Sequence, residues 1–199
     1  MQVNFNESRT RQNLMRAFAG ECQSRQRYYQ AALIAQQQKL IGIERMLRFT
    51  AEQEERHAMV FWKLMKESAG QEIEITAGYP ASVFTDIQQL LESSAAEEEK
   101  ESSQVYPEFA QIAAEEGFTE AAEKFRNIAK IESSHHERFA YYGGHLRAGT
   151  LFRSDSTEEV WICLNCGHIH IGSEPPKECP VCRAEQGYFL REKEAPFTK

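Results

Sequence analysis

The stretch Phe49–Met65, FTAEQEERHAMVFWKLM, restricts the possible folds more than any other part of the chain. Read as a helix, Ile43, Leu47, Thr50, Glu54, His57, Phe61 and Leu64 recur at alternating steps of four and three. That is the seam a bundle helix turns toward its neighbours. Here the middle of the seam is a carboxylate and an imidazole. The same count along a later stretch gives Ala121, Phe125, Ile128, Glu132, His135, Phe139, Tyr142 and Leu146. A third gives Phe84, Ile87, Leu91, Ser94, Glu98, Glu101 and Val105, and the first gives Leu14, Phe18, Glu21, Arg25, Tyr28 and Ala32. Glutamate interrupts every seam near its centre, and twice the interruption is Glu-x-x-His.

Residues three apart on a helix lie about 60° apart around the axis and roughly 4.5 Å along it. The side chains of Glu54 and His57, of Glu132 and His135, and of Glu98 and Glu101 can therefore each reach one point. Gathering five carboxylates without cations would cost several kcal/mol per charge, on the order expected for buried unpaired ions. Metal ions remove that cost, and oxygen with imidazole suits iron or manganese. A weak repeat supports two sites: Glu21 precedes Glu54-x-x-His57 by 33 residues and Glu98 precedes Glu132-x-x-His135 by 34. One Glu from each of two helices and Glu-x-x-His from each of two others is the established ligand set of ferritin-like di-iron and di-manganese bundles. Any one such pair, taken singly, is most often a solvated surface feature. Four motifs, one on the apolar seam of each helix and in repeated order, point to a two-metal site.

The expected architecture is an all-α, ferritin-like four-helix bundle over 1–148, a linker over 149–158, and a small four-cysteine β/loop domain over 159–199. Helices are expected from about Glu7 to Gln38, from Gly42 to Ser68, from near Ser82 through a bend or restart at Pro107, and from a cap at Thr119 to the weakening pair Gly143 and Gly144. AGQEIEITAGYPAS, between the second and third, is the long crossover such bundles require. Cys22, beside Glu21, reads as a small buried filler, and His136 and His145 as exposed.

Cys163, Cys166, Cys179 and Cys182 form C-x-x-C, twelve residues, C-x-x-C. Two such knuckles converge on one tetrahedral ion. About 40 residues cannot build a sufficient core, so the metal must help fold them. On spacing alone a structural zinc ribbon is favoured over iron, with His168 and His170 as strand residues.

The net charge of −7 argues against nucleic acid as a partner. The apolar runs are too short for a membrane span, and the polar start lacks a signal-peptide core, so a cytoplasmic location is expected.

AGECQSRQRYY, EERHA, EEEKESSQVYPEFAQIAAEEGF and IESSHHERF, followed by VWICLNCGHIH and CPVC, resemble the successive motifs of the rubrerythrin family over nearly the whole chain. The resemblance implies a di-iron site in the bundle and a rubredoxin-type iron on the four cysteines, displacing the zinc expectation and leaving zinc as a substitute metal. By that resemblance Glu54 and Glu132 bridge, Glu21 and Glu98 cap, and His135 binds one iron. Glu101 is a fifth carboxylate that exchanges with His57 when the oxidation state changes. Tyr28 and Tyr106 are candidate partners of the ligand carboxylates, or core tyrosines. Family members are typically homodimeric peroxide reductases, protective against oxidative stress, in which the rubredoxin-like centre of one subunit lies near the di-iron site of the other. Without a G-x-G-x-x-G site, electrons would come from rubredoxin or a separate NAD(P)H-dependent reductase. Ferroxidase, oxygen-reducing and pure electron-carrier roles are the rival readings.

Overall fold

The computed structural model describes residues 3–195; the first two and last four residues of the expected domains lie outside the described residues. Among the described residues five α-helices form four rods: α1 (Arg9–Gln37), α2 (Ile41–Leu64), α3 (Ile87–Lys100) continuing into α4 (Tyr106–Glu115), and α5 (Thr119–Ala148). Ser8 caps α1 by accepting the Arg11 N–H at 3.0 Å, one residue after the expected start. Lys39, in the left-handed region at φ 61°, reverses the chain into α2.

The crossover runs the length of α1 in extended form. Arg11 donates to Glu72 O, Arg16 to Thr76 O, Tyr79 to Arg16 O, and Gln38 to Thr85 O. This ladder delivers the chain to the α1–α2 turn, so α3 starts there and runs parallel to α2 and antiparallel to α1. The order is up, down, down, up, as ferritin-like bundles require.

Several boundaries differ from expectation. α3 begins at Ile87 with Asp86 as its cap, not near Ser82, because the Asp86 side chain accepts the Gln89 N–H at 3.0 Å. Phe84 therefore lies outside the helix and is exposed. Thr119 is the first residue of α5, not a side-chain cap; Phe118 stands at the cap without one. Gly143 and Gly144 do not break α5, which ends at left-handed Gly149. At Pro107 the helical rod runs on without a gap. A π-helical turn, Glu101–Val105, widens the helix where proline lacks an N–H and would crowd the Ser103 carbonyl.

That turn has a sequence consequence. It adds one residue to the second half of the repeat. Tyr28 follows Glu21 by seven positions while Tyr106 follows Glu98 by eight, and the glutamate spacings differ by the same single residue. The insertion keeps both tyrosines on the inner face.

The bundle interior is two apolar clusters on either side of a polar middle layer. One includes Tyr28, Leu47, Leu91 and Phe139; the other includes Leu14, Phe61, Tyr106 and Phe125. The C-terminal region is a three-stranded antiparallel sheet, β1 (Val160–Cys163), β2 (Ile169–Ile171) and β3 (Phe189–Arg191), in the order β2-β1-β3. It docks on the α1–α2 turn. Leu190 touches Gly42, and Gly187 lies so close to Lys39 O that an added Cβ would stand 1.7 Å from it. Arg191, 4% exposed, donates to Thr150 O at 3.1 Å and Arg153 O at 2.8 Å, and sits over the Trp161 ring. Among the described residues no helix is long and apolar enough to cross a membrane.

Candidate metal centres

The middle layer collects the seam residues of all four rods. Glu21, Glu54, Glu98, Glu132 and His135 are at most 1% exposed, and His57 is 6% exposed. Their ligand atoms form two overlapping groups, Glu21, Glu54, His57 and Glu132, and Glu54, Glu98, Glu132 and His135. Within each, the atoms lie within 4.8 Å of one another. Glu54 and Glu132 belong to both. His57 Nδ1 lies 2.9 Å from Glu132 Oε1, 3.2 Å from Glu54 Oε2 and 3.5 Å from Glu21 Oε2. His135 Nδ1 lies 2.9 Å from Glu54 Oε1 and 2.8 Å from Glu132 Oε2. The two rings are stacked at 5.7 Å.

Two tyrosines hold the outer carboxylates crosswise. Tyr106, from α4, donates to Glu21 Oε1 on α1 at 2.5 Å, and Tyr28, from α1, donates to Glu98 Oε1 on α3. Their hydroxyls are thus built into the cluster rather than serving as core filler alone.

The electrostatics show what protein atoms cannot satisfy. Burial first, then the charges of Glu132 and Glu54, push Glu21 well above the usual carboxylate range. Burial, then Glu54 and Glu132, does the same to Glu98. Burial opposes charge on both imidazoles, yet surrounding carboxylates outweigh it and raise both. Glu54 goes the other way: burial would raise it, but hydrogen bonds from His135 and His57 hold it far below the usual range. Glu21 Oε2, Glu54 Oε1, Glu98 Oε2, both Glu132 oxygens and His135 Nδ1 are buried without a well-aligned hydrogen-bond partner. Such orphans are costly in a protein interior. Two cations shared through Glu54 and Glu132 would satisfy them all, and the donor set of carboxylates and imidazole fits iron.

Glu101 stands apart from both groups. It lies in the π-helical turn, half-buried, on the wall of a cavity of about 480 Å³ shared with Gly20, Tyr79 and Tyr106. Burial, then the charges of Glu132 and Glu54, push its carboxyl up to about 8. In this geometry His57, not Glu101, faces the cluster. Three other sequence readings are corrected. Arg25 leaves the seam to pair with Glu55 at 3.5 Å, and Ser24 takes the buried position. Cys22 is exposed, not a buried filler. His136 and His145 are half-buried, bonded to Ala95 O and Thr150 Oγ1.

The four cysteines converge as two equivalent knuckles. The Gly167 N–H donates to Cys163 O and the Arg183 N–H to Cys179 O, both from residues with positive φ. Cys163 and Cys182 Sγ are 3.7 Å apart, as are Cys166 and Cys179 Sγ. A tetrahedron with metal–sulfur bonds of about 2.3 Å has edges of about 3.8 Å. The thiols are placed for one ion and are not disulfides. His170 lies in β2 and His168 just before it, outside the cluster.

Sequence reasoning missed Gln53 and Arg138. Gln53 Oε1 accepts from His135 Nε2 at 3.1 Å and from Arg138 Nη1 at 3.0 Å. The only signal was position: Gln53 precedes Glu54, and Arg138 follows His135 by one turn.

A family profile described as rubrerythrin matches residues 12–142, and one described as the rubrerythrin rubredoxin-like domain matches residues 161–190. The rubrerythrin of Clostridium perfringens is 41% identical, covering 92% of this chain and 93% of that protein. The rubrerythrin of Porphyromonas gingivalis is 39% identical, covering 95% and 92%. Among solved structures, mixed-valence nigerythrin superposes with a TM-score of 0.61 at 28% identity over 96% of this chain and 91% of its own. The bacterioferritin of Desulfovibrio desulfuricans, at 22% identity over 70% of this chain and 80% of its own, shares the bundle fold with a TM-score of 0.63. With its acidic middle layer, its four-cysteine domain and these matches across both, the chain belongs to the rubrerythrin family.

Proposed function

We propose that this protein reduces hydrogen peroxide to water at a di-iron site and is re-reduced through the four-cysteine iron. The observation that carries the reading is the pair of overlapping buried ligand groups sharing Glu54 and Glu132, in one chain with a four-thiolate cluster. Glu54 and Glu132 would bridge, with Glu21 and His57 on one side and Glu98 and His135 on the other. A pair of ferrous ions there would supply the two electrons that cleave an O–O bond. The overall change is H2O2 + 2 H+ + 2 e− to 2 H2O.

The chain's own residues prepare this chemistry. The Tyr28 and Tyr106 hydroxyls fix the outer carboxylates, so that little reorganisation remains. The cavity beside Gly20 and Tyr79 offers a route for a small polar substrate, lined by Glu101, which feels the charges of Glu132 and Glu54, and by Tyr106, which bonds Glu21. The Glu101 carboxyl can hold or deliver a proton at the reacting oxygens, and the family resemblance implies that it exchanges with His57. Cys163, Cys166, Cys179 and Cys182 would hold a one-electron iron that refills the bundle stepwise.

A homodimer is the proposed assembly, as the family resemblance implies. The small domain is anchored at Gly42, twelve residues and about 18 Å of helix from Glu54. A second copy could bring its cysteine knuckles closer to the cluster than the chain's own. A rubredoxin or an NAD(P)H-dependent reductase is the proposed electron source. Mixing di-ferrous protein with hydrogen peroxide while following ferric absorbance tests the reading. Stoichiometric oxidation far faster than by air is expected; oxidation no faster than by air refutes it.

A further inference from the structure

We propose that Gln53 and Arg138 form a positioning pair that fixes the ring tautomer of His135 and presents its Nδ1 to the metal cluster. The proposal rests on the reading that His135 holds a metal ion. A guanidinium only donates hydrogen bonds. The Gln53 side-chain atom 3.0 Å from Arg138 Nη1 must therefore be its oxygen, which settles the amide orientation. That same oxygen lies 3.1 Å from His135 Nε2, so Nε2 must carry a proton and donate it. In a neutral ring the lone pair is then on Nδ1. Nδ1 faces Glu54 Oε1 and Glu132 Oε2 at 2.9 and 2.8 Å, and neither oxygen can donate when ionised. Three acceptors meeting at one buried point call for a positive charge between them, which a metal ion supplies or, without one, a proton on Nδ1.

Arg138 is itself held. Its Nη1 also donates to Thr50 Oγ1 at 2.8 Å, and its guanidinium lies 5.4 Å from the Phe49 ring centroid. The chain of contacts thus spans α2 and α5 and returns to α5 within one turn. Its rigidity passes to a ring that is 0% exposed.

His57 has no equivalent. Its Nδ1 faces three carboxylates, but among the described residues its Nε2 makes no hydrogen bond. The two halves of the near-symmetric site therefore differ in this respect: one imidazole is anchored from behind and the other is not.

The test uses full-length protein loaded with zinc, labelled with 15N-histidine and examined by NMR, with zinc affinity measured by competition. Wild-type protein should bind more zinc than the one ion of the cysteine cluster, with His135 protonated at Nε2 and metal-bound at Nδ1. Gln53→Leu should mix the tautomers and weaken bundle zinc about 10- to 100-fold, the usual effect of removing such a support. Gln53→Glu, which keeps the acceptor, should restore both. A proton on Nδ1 in the wild type overturns the proposal. So does a Gln53→Leu protein with wild-type spectrum and affinity, or a Gln53→Glu protein as weak as Gln53→Leu. A wild-type bundle that takes up no metal at all removes the metal reading, and this proposal falls with it.

Discussion

Gly187 offers a sharp test of how the two metal domains are joined. A methyl group there would sit 1.7 Å from Lys39 O, a backbone atom in the α1–α2 turn. Real Cβ contacts essentially never fall under 3.0 Å, so Gly187→Ala demands a displacement of at least about 1.3 Å, the 3.0 Å limit less the 1.7 Å contact. The neighbouring contact of Leu190 with Gly42 cannot survive such a shift intact. Fully burying one leucine side chain is worth about 1.5–3 kcal/mol, and a forced overlap adds strain of about 1–3 kcal/mol. The substitution should therefore weaken docking by about 2.5–6 kcal/mol without touching either metal cluster. Hydrogen exchange should accelerate in β3 and at Leu40–Ile43, while α5 near Phe125 stays protected. Gly144→Ala supplies the control. That glycine lies inside α5 with nothing within 4 Å of an added Cβ, so the same chemical change should stabilise by up to about 1 kcal/mol through helix propensity. If Gly187→Ala exchanges and melts like the wild type, the docking argument is wrong.

Other perturbations separate the parts of the site. Glu101→Ala should retain two bundle metals, because Glu101 lies outside both ligand groups, yet slow peroxide turnover; unchanged turnover removes it from the mechanism. Cys182→Ser should destroy the four-thiolate iron spectrum and multiple turnover, while one rapid oxidation of the reduced bundle by peroxide persists. Tyr106→Phe strips the hydrogen bond from Glu21 Oε1 and should lower metal affinity about 10- to 100-fold, measured by chelator competition. Asp86→Ala removes the cap on Gln89 and should cost about 1 kcal/mol in denaturant unfolding with metal occupancy unchanged.

Much of this protein is local, and what is local could be read directly. The 3.6-residue period assigns Glu54 and His57, or Glu132 and His135, to one face of one helix, whatever surrounds it. The cysteine knuckles are shorter still, since each C-x-x-C turn closes on its own backbone. Even the unequal repeat lengths carried a trace of the π-helical turn, as one residue too many between Glu98 and Tyr106. Periodicity does not say which partner a face meets, nor resolve a rotation of one position. Arg25 and Ser24 differ by 100° around α1, and only packing against α2 turned the serine inward and sent the arginine to Glu55. The crosswise bonds of Tyr28 to Glu98 and Tyr106 to Glu21 join α1 with α3 and with α4, across about 70 and 85 residues of sequence. Gln53 and Arg138, on α2 and α5, share no pattern at all, and Gly187 is an ordinary turn glycine until Lys39 is set against it. Helical geometry grouped the candidate ligands because it acts within a turn or two; their supports, and the seating of the small domain, depend on distances between segments that exist only once the chain has closed.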